Sequence, residues 1–153
     1  MRDYKKISAW QKADDLTVEI YEVTRSFPKE ELYSLTSQMR RAAYSAPSNI
    51  AEGASRSSQK DYLHFLYIAR GSISEVSYFI HLSQRLKYLN AENHVRLEKQ
   101  ADEASRVLTG LIRSVEKEVG LLPRNTAKIT SALVVVILSL SSLVSGLLST
   151  VFS

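Results

Sequence analysis

Four stretches of the chain repeat apolar residues at intervals of three and four, the spacing that gathers them on one side of an α-helix. The first runs from Ser8 to Arg25, where Trp10, Ala13, Thr17, Ile20 and Tyr21 share a face, with Val23 and Phe27 nearby. Ser8 stands where an N-cap is expected. Proline lacks an N–H and disfavours a helical residue before it, so the first helix is expected to end at Phe27-Pro28. The second begins between Leu32 and Thr36 and carries Leu35, Met39, Ala42, Ala43, Ala46, Ile50 and Ala51. Pro47 falls in its middle, where the helix either breaks or kinks; the apolar stripe continues on both sides, which favours a kinked helix reaching about Ser55. Its small residues point to close approach by a neighbouring backbone.

Ser57-Ser58 then supply a cap, and a third helix is predicted from Gln59 to Leu89 on the seam Tyr62, Phe65, Leu66, Ala69, Ile73, Val76, Ile80 and Leu86. Gly71 interrupts it at about 1 kcal/mol relative to Ala, a cost that suggests tight packing there. The fourth runs from Ala91 to Glu118 through Val95, Leu97, Ala101, Ala104, Leu108, Leu111, Ile112 and Val115, capped by Asn90 and stopped by Gly120. Four amphipathic helices with short connections make an all-α, up-down antiparallel four-helix bundle over residues 1–120.

The remainder reads differently. After a linker over 121–128, the stretch Ile129–Phe152 holds 24 residues without a charge. That is long enough to cross a bilayer as a helix, and Arg124 and Lys128 just before it would keep the bundle cytoplasmic, anchored to the inner membrane. Seven serines between Ser131 and Ser153 lower its hydrophobicity, so an extra C-terminal apolar helix over 129–153 that packs on the bundle or seals an oligomer stands beside the transmembrane reading. No secretory signal is expected, because Met1-Arg2-Asp3-Tyr4-Lys5-Lys6 has no apolar run behind it.

Composition narrows the chemistry. With no cysteine, disulfides and thiolate metal sites are excluded. The net charge of +4 matters less than its distribution: all 16 acidic residues and 18 of the 20 basic ones precede Gly120, leaving that part at +2 and well mixed. Such a surface permits contact with nucleic acid without demanding it. Arg40, Arg41, Arg56 and Lys60, with Arg70, are the candidate phosphate-binding residues along one edge of the bundle, against the reading of an ordinary solvated face. A second constellation lies on the second helix, where Gln38, Arg41, Ser45, Asn49 and Glu52 recur at helical spacing beside the Ala-rich stripe. Together with Glu75 they form a polar network, a small pocket or a subunit seam.

Catalysis finds no support. There is no phosphate-binding loop, His-Glu-x-x-His or Gly-x-Ser-x-Gly. Glu52 and Glu75 are followed at the third position by Ser55 and Tyr78, so the Glu-x-x-His signature of carboxylate-bridged metals is missing. No catalytic residue, metal or cofactor is therefore expected, and no small-molecule substrate.

Five blocks carry a resemblance. Trp10-Gln11, Phe27-Pro28-Lys29-Glu30-Glu31, Leu35 to Ala43, Ser48-Asn49-Ile50-Ala51-Glu52-Gly53 and Ala69 to Glu75 occur in this order. In that order the chain resembles the bacterial four helix bundle proteins encoded in intervening sequences of 23S ribosomal RNA genes. These are similar in fold to the accessory variability determinant of diversity-generating retroelements. The resemblance covers about residues 4–119, with Ala46 departing from the family's stretch. It implies a ring-like homopentamer; in the retroelement relatives a basic pentamer binds RNA and a reverse transcriptase. The apolar extension after Gly120 departs from the family. Two functions follow: an oligomeric scaffold that binds structured RNA, a protein partner or both, and a membrane-tethered oligomerisation module that binds no nucleic acid.

Overall fold

The computed structural model describes residues 2–121. Its helices are α1 (Ser8–Val23), α2 (Leu35–Ser55), α3 (Gln59–Arg85) and α4 (Ala91–Glu118), with single 3₁₀ turns at Tyr4–Lys6, Thr24–Ser26 and Lys29–Glu31. Each helix packs on the next and α4 closes against α1, an up-down bundle without a strand among the described residues. The chain divides into the units Met1–Val119 and Gly120–Ser153, of which the first is the bundle. The linker beyond Leu121 and the apolar helix expected over 129–153 lie outside the described residues.

One core runs the length of the bundle. Leu16 and Ile20 of α1, Met39 and Ile50 of α2, Leu66, Ile73 and Ile80 of α3, and Leu97, Leu108 and Ile112 of α4 are fully buried. Each such side chain contributes about 1.5–3 kcal/mol, whereas an exposed ion pair adds at most about 1 kcal/mol. Apolar burial therefore decides the fold. Tyr62 is core, as its place in the seam predicts, but Tyr21, Leu86 and Val95 are exposed, Val95 at 64%.

The helix ends show where local chemistry prevails over simple rules. Ser58 caps α3 by accepting from Lys60 N and Asp61 N, and Asn90 caps α4 by accepting from Asn93 N at 2.8 Å. Ser8 is no cap: Ile7 holds that position without a side-chain bond. The first helix also stops short of Phe27-Pro28, tightening into a 3₁₀ turn after Val23 where the Thr24 hydroxyl donates to Ile20 O at 2.7 Å. At the start of α2 the Ser34 side chain makes no capping bond, and Glu31 replaces it. Its carboxylate accepts from Ser34 Oγ, from Leu35 N at 3.3 Å and from Tyr88 Oη at 3.2 Å. These donors, the Ser34 hydroxyl foremost, hold the Glu31 carboxyl below its ordinary range.

At the other end, α3 stops at Arg85 rather than Leu89 because Lys87 adopts a left-handed conformation with φ 62°. Lys87 N then donates to Gln84 O at 3.0 Å and Tyr88 N to Ser83 O at 2.9 Å, the paired bonds of a Schellman turn. Tyr88 lies against the Phe27 ring at 5.6 Å, which ties this turn to the end of α1. Gly120, at φ 78°, follows α4 as expected of a stop.

Pro47 lies within α2, and the helix continues through it. Proline gives no N–H to the carbonyl four residues earlier, so Ala43 O loses its helical donor while Ala43 is buried. Thr17 of α1 supplies the replacement: its hydroxyl lies 2.9 Å from Ala43 O and 2.8 Å from Ala13 O in its own helix. The apolar residues around Pro47 thus pack against α1 without an orphaned carbonyl.

Two glycines within the helices behave oppositely. At Gly53 an added Cβ would stand 2.8 Å from Phe65 Cβ and 3.0 Å from the Tyr62 ring, so α3 crosses α2 there at a distance only glycine allows. At Gly71, where tight packing was expected, nothing lies within 4 Å and the residue is exposed. Its cost in helix propensity is offset by no contact within the bundle.

At fixed protein concentration, urea denaturation should separate these cases. Gly53→Ala is expected to destabilise by about 1–3 kcal/mol through overpacking, and Gly71→Ala to stabilise by about 0.5–1 kcal/mol. Thr17→Val should cost about 1–2 kcal/mol by orphaning a buried carbonyl. Most of that loss should vanish in the Pro47→Ala background, where the helix again supplies the N–H. On acidification, stability supplied by Glu31 is present above its unfolded pKa and is lost as pH falls through the lowered folded value. Glu31→Gln should therefore be less stable at neutral pH and show a shallower acid decline in a pH series of denaturation curves.

Candidate functional site

The predicted cations occupy separate parts of the bundle. Arg40 turns towards α1, where its Nε donates to Thr24 Oγ1 at 2.8 Å and its guanidinium lies 4.9 Å from the Tyr21 ring centre. Arg70 turns towards α4: it covers the Tyr67 ring at 5.0 Å, and the Tyr67 hydroxyl donates to Glu116 at 2.7 Å. That bond, more than burial, raises the Tyr67 pKa. The α1–α2 and α3–α4 seams lie on opposite sides of the ring of helices, so Arg40 and Arg70 do not share an edge. Along α2, Arg40 and Arg56 are 16 residues apart, about 24 Å at the helical rise.

Arg56 and the exposed Lys60 flank the turn from α2 to α3, and a third cation, Arg2, is bonded to that turn. Arg2 donates from its backbone N to Ala54 O at 3.3 Å, from Nη1 to Arg56 O at 3.4 Å and from Nη2 to Gln59 Oε1. Its guanidinium covers the Tyr62 ring at 4.4 Å, and that of Arg56 covers Phe65 at 4.7 Å. Burial raises the Tyr62 pKa and the Arg2 charge opposes the rise. This basic corner is tempered by acids, since Arg56 pairs with Glu52 and Gln59 donates to Glu118. Arg2 was not among the sequence candidates: two residues from the start, it belongs to no periodic pattern, and only its hydrogen bonds to Ala54 and Arg56 assign it here.

The polar row of α2 resolves into three short links. Arg41 donates to Gln38 Oε1 at 2.8 Å on the exposed face. Asn49 Nδ2 donates to Ser45 O at 2.8 Å and lies 3.2 Å from Ser45 Oγ, which in turn is 2.8 Å from Ser72 Oγ on α3. Glu52 pairs with Arg56. Glu75 makes no hydrogen bond or ion pair among the described residues. The link through Ser45 and Ser72 joins two helices of one chain, and the missing signal for it was Ser72, whose partner only the α2–α3 register reveals.

Charges elsewhere tie helix to helix. Lys12 and Glu103 pair at 2.9 Å between α1 and α4, and this shared hydrogen bond raises the lysine pKa and lowers that of the carboxyl. Arg96 pairs with Glu19 across the same seam. A shallow depression of about 590 Å³ on the outer face of α4 is lined by Val95, Glu98, Lys99, Asp102, Ser105 and Arg106. All six belong to one helix and their charges are mixed, so they converge on no common point. Among the described residues, no group of three or more His, Asp or Glu stands where it would hold a metal ion.

A family model described as 23S rRNA-intervening sequence protein matches residues 5–110. Among solved structures, the chain is similar to a protein of unknown function from the S23 ribosomal protein family of Bacteroides thetaiotaomicron. The TM-score is 0.64 at 23% identity, over 69% of this chain and 95% of that one. At that identity the likeness shows the fold. No curated protein matches the chain.

Proposed function

The chain belongs to the 23S rRNA-intervening sequence protein family, and on that premise we propose that it is a non-enzymatic scaffold which assembles with copies of itself as a homopentamer and binds structured RNA. The observation that carries the RNA reading is the corner formed by Arg2, Arg56 and Lys60, where two guanidiniums are stacked on rings and a lysine is exposed. Stacking holds each guanidinium plane, and the N–H groups not already given to Arg56 O, Gln59 and Glu52 are left to meet phosphate oxygens. Five such corners in a ring would present a repeated cationic surface whose contacts add.

Self-association draws on a different surface. Ile68, Gly71, Glu75 and Tyr78 recur at helical spacing along α3, and Ile68 and Tyr78 are exposed at 40% and 59%. A ring needs two unlike faces that meet head to tail. The outer stripe of α3 is one of them in this reading.

The uncharged run Ile129–Phe152 favours a second reading, a bundle tethered to a membrane that serves only to oligomerise. No helix among the described residues is long and apolar enough to cross a membrane. In that reading, the whole chain sediments with membranes and needs detergent for release.

RNA binding by the full chain, measured by filter retention of a structured ribosomal RNA fragment, should weaken about tenfold or more between 50 and 200 mM salt. Neutralising Arg2, Arg56 or Lys60 should each lower the salt slope by about 0.7–0.9, while Arg40→Ala and Arg70→Ala leave it nearly unchanged. Affinity indifferent to salt refutes the RNA reading. Native mass measurement of the same preparation should give five copies.

A further inference from the structure

Beside Pro47 a cleft of about 230 Å³ opens between α1 and α2. Trp10 and Asp14 stand four residues apart on α1, and Tyr44, Pro47 and Ser48 face them from α2. Tyr4 reaches over from the first 3₁₀ turn and meets Trp10 edge to face, with ring centres 5.1 Å apart and planes at 66°. Three aromatic side chains thus line one small opening, and Tyr44 is 46% exposed. Asp14 is the one charged group in the lining. It is half-buried, and among the described residues it makes no hydrogen bond or ion pair.

That combination lacks a counterpart. At four other places on this bundle an aromatic face is met by an arginine: Arg2 on Tyr62, Arg40 on Tyr21, Arg56 on Phe65 and Arg70 on Tyr67. Of the acids in neighbouring turns, Asp3 pairs with Lys6 and Glu19 with Arg96, while the exposed Asp15 makes no ion pair among the described residues. The cleft holds the rings and the carboxylate without the guanidinium. The negative faces of aromatic rings attract a cation, and a carboxylate in the lining can accept a directed, charge-assisted hydrogen bond from it.

We propose that this cleft binds an arginine side chain offered by a basic segment of a partner protein. The guanidinium lies against the Trp10, Tyr4 and Tyr44 rings and donates to the Asp14 carboxylate. The same carboxylate repels phosphate, so the site is distinct from the RNA-binding corner and stands or falls independently of it.

Trp10 is the single tryptophan of the chain, so its fluorescence reports on this cleft alone. The full chain is titrated at constant ionic strength with N-acetyl-arginine amide, with its uncharged isostere N-acetyl-citrulline amide and with cytidine. The expected result is a saturable change with the arginine compound in the millimolar range and none with the other two. Asp14→Asn should weaken the arginine response about fivefold or more, and Tyr44→Ala should weaken it as well, with helix content by circular dichroism unchanged in both. An equal response to citrulline, or an unaltered one in Asp14→Asn, overturns the proposal. A response to cytidine alone makes the cleft a nucleobase site and overturns it too. So does a change in native mass in Asp14→Asn, which would assign the cleft to a second copy of this chain.

Discussion

A hydroxyl group on α1 completes the backbone bonding of the bundle's central helix where a proline interrupts it. Pro47 deprives Ala43 of its helical partner, and a proline in a helix interior costs about 3 kcal/mol when nothing compensates. Thr17 answers it with a proton from the neighbouring helix. Because α2 is packed on both α1 and α3, its continuity from Leu35 to Ser55 sets both seams at once. Apolar burial holds the bundle together, and this cross-helix bond settles the one buried carbonyl left open where the local rule for proline is broken.

From that continuous helix the two candidate surfaces follow. Gly53 lets α3 come close at the far end of α2, beside the turn that Arg56 and Lys60 flank and to which Arg2 is bonded. Midway along, Ser45 and Ser72 fix the register between the two helices. On its other side, the Pro47 region leaves the aromatic cleft open towards Trp10. The two surfaces have opposite electrostatic character, one cationic and one anionic, and they are carried by the same 21-residue helix.

Much of this was legible in the residues alone. The four apolar stripes, the caps Ser58 and Asn90, the stop at Gly120 and the passage of α2 through Pro47 all follow from spacing and side-chain chemistry. The misreadings share a physical cause. Gly53 and Gly71 are the same residue in similar surroundings, and only the neighbouring helix tells the buried crossing from the open face. Lys87 takes the left-handed turn usually given to glycine or asparagine, so no residue type announced the end of α3. The five cations were grouped by their nearness along the chain, whereas the seams towards α1 and α4 separate Arg40 from Arg70. Arg2 belongs to the site through backbone and side-chain bonds that no periodicity encodes.

The stacking of Arg2 on Tyr62 and Arg56 on Phe65 bears on how such a surface recognises anything at all. A free arginine side chain loses about 1.5–2 kcal/mol of rotamer entropy when it is immobilised. On these rings the loss has already occurred during folding, so a ligand meets side chains whose planes are set beforehand. If the corner binds RNA as proposed, such partly pre-set side chains would favour a ligand whose spacing matches theirs over one that offers charge alone.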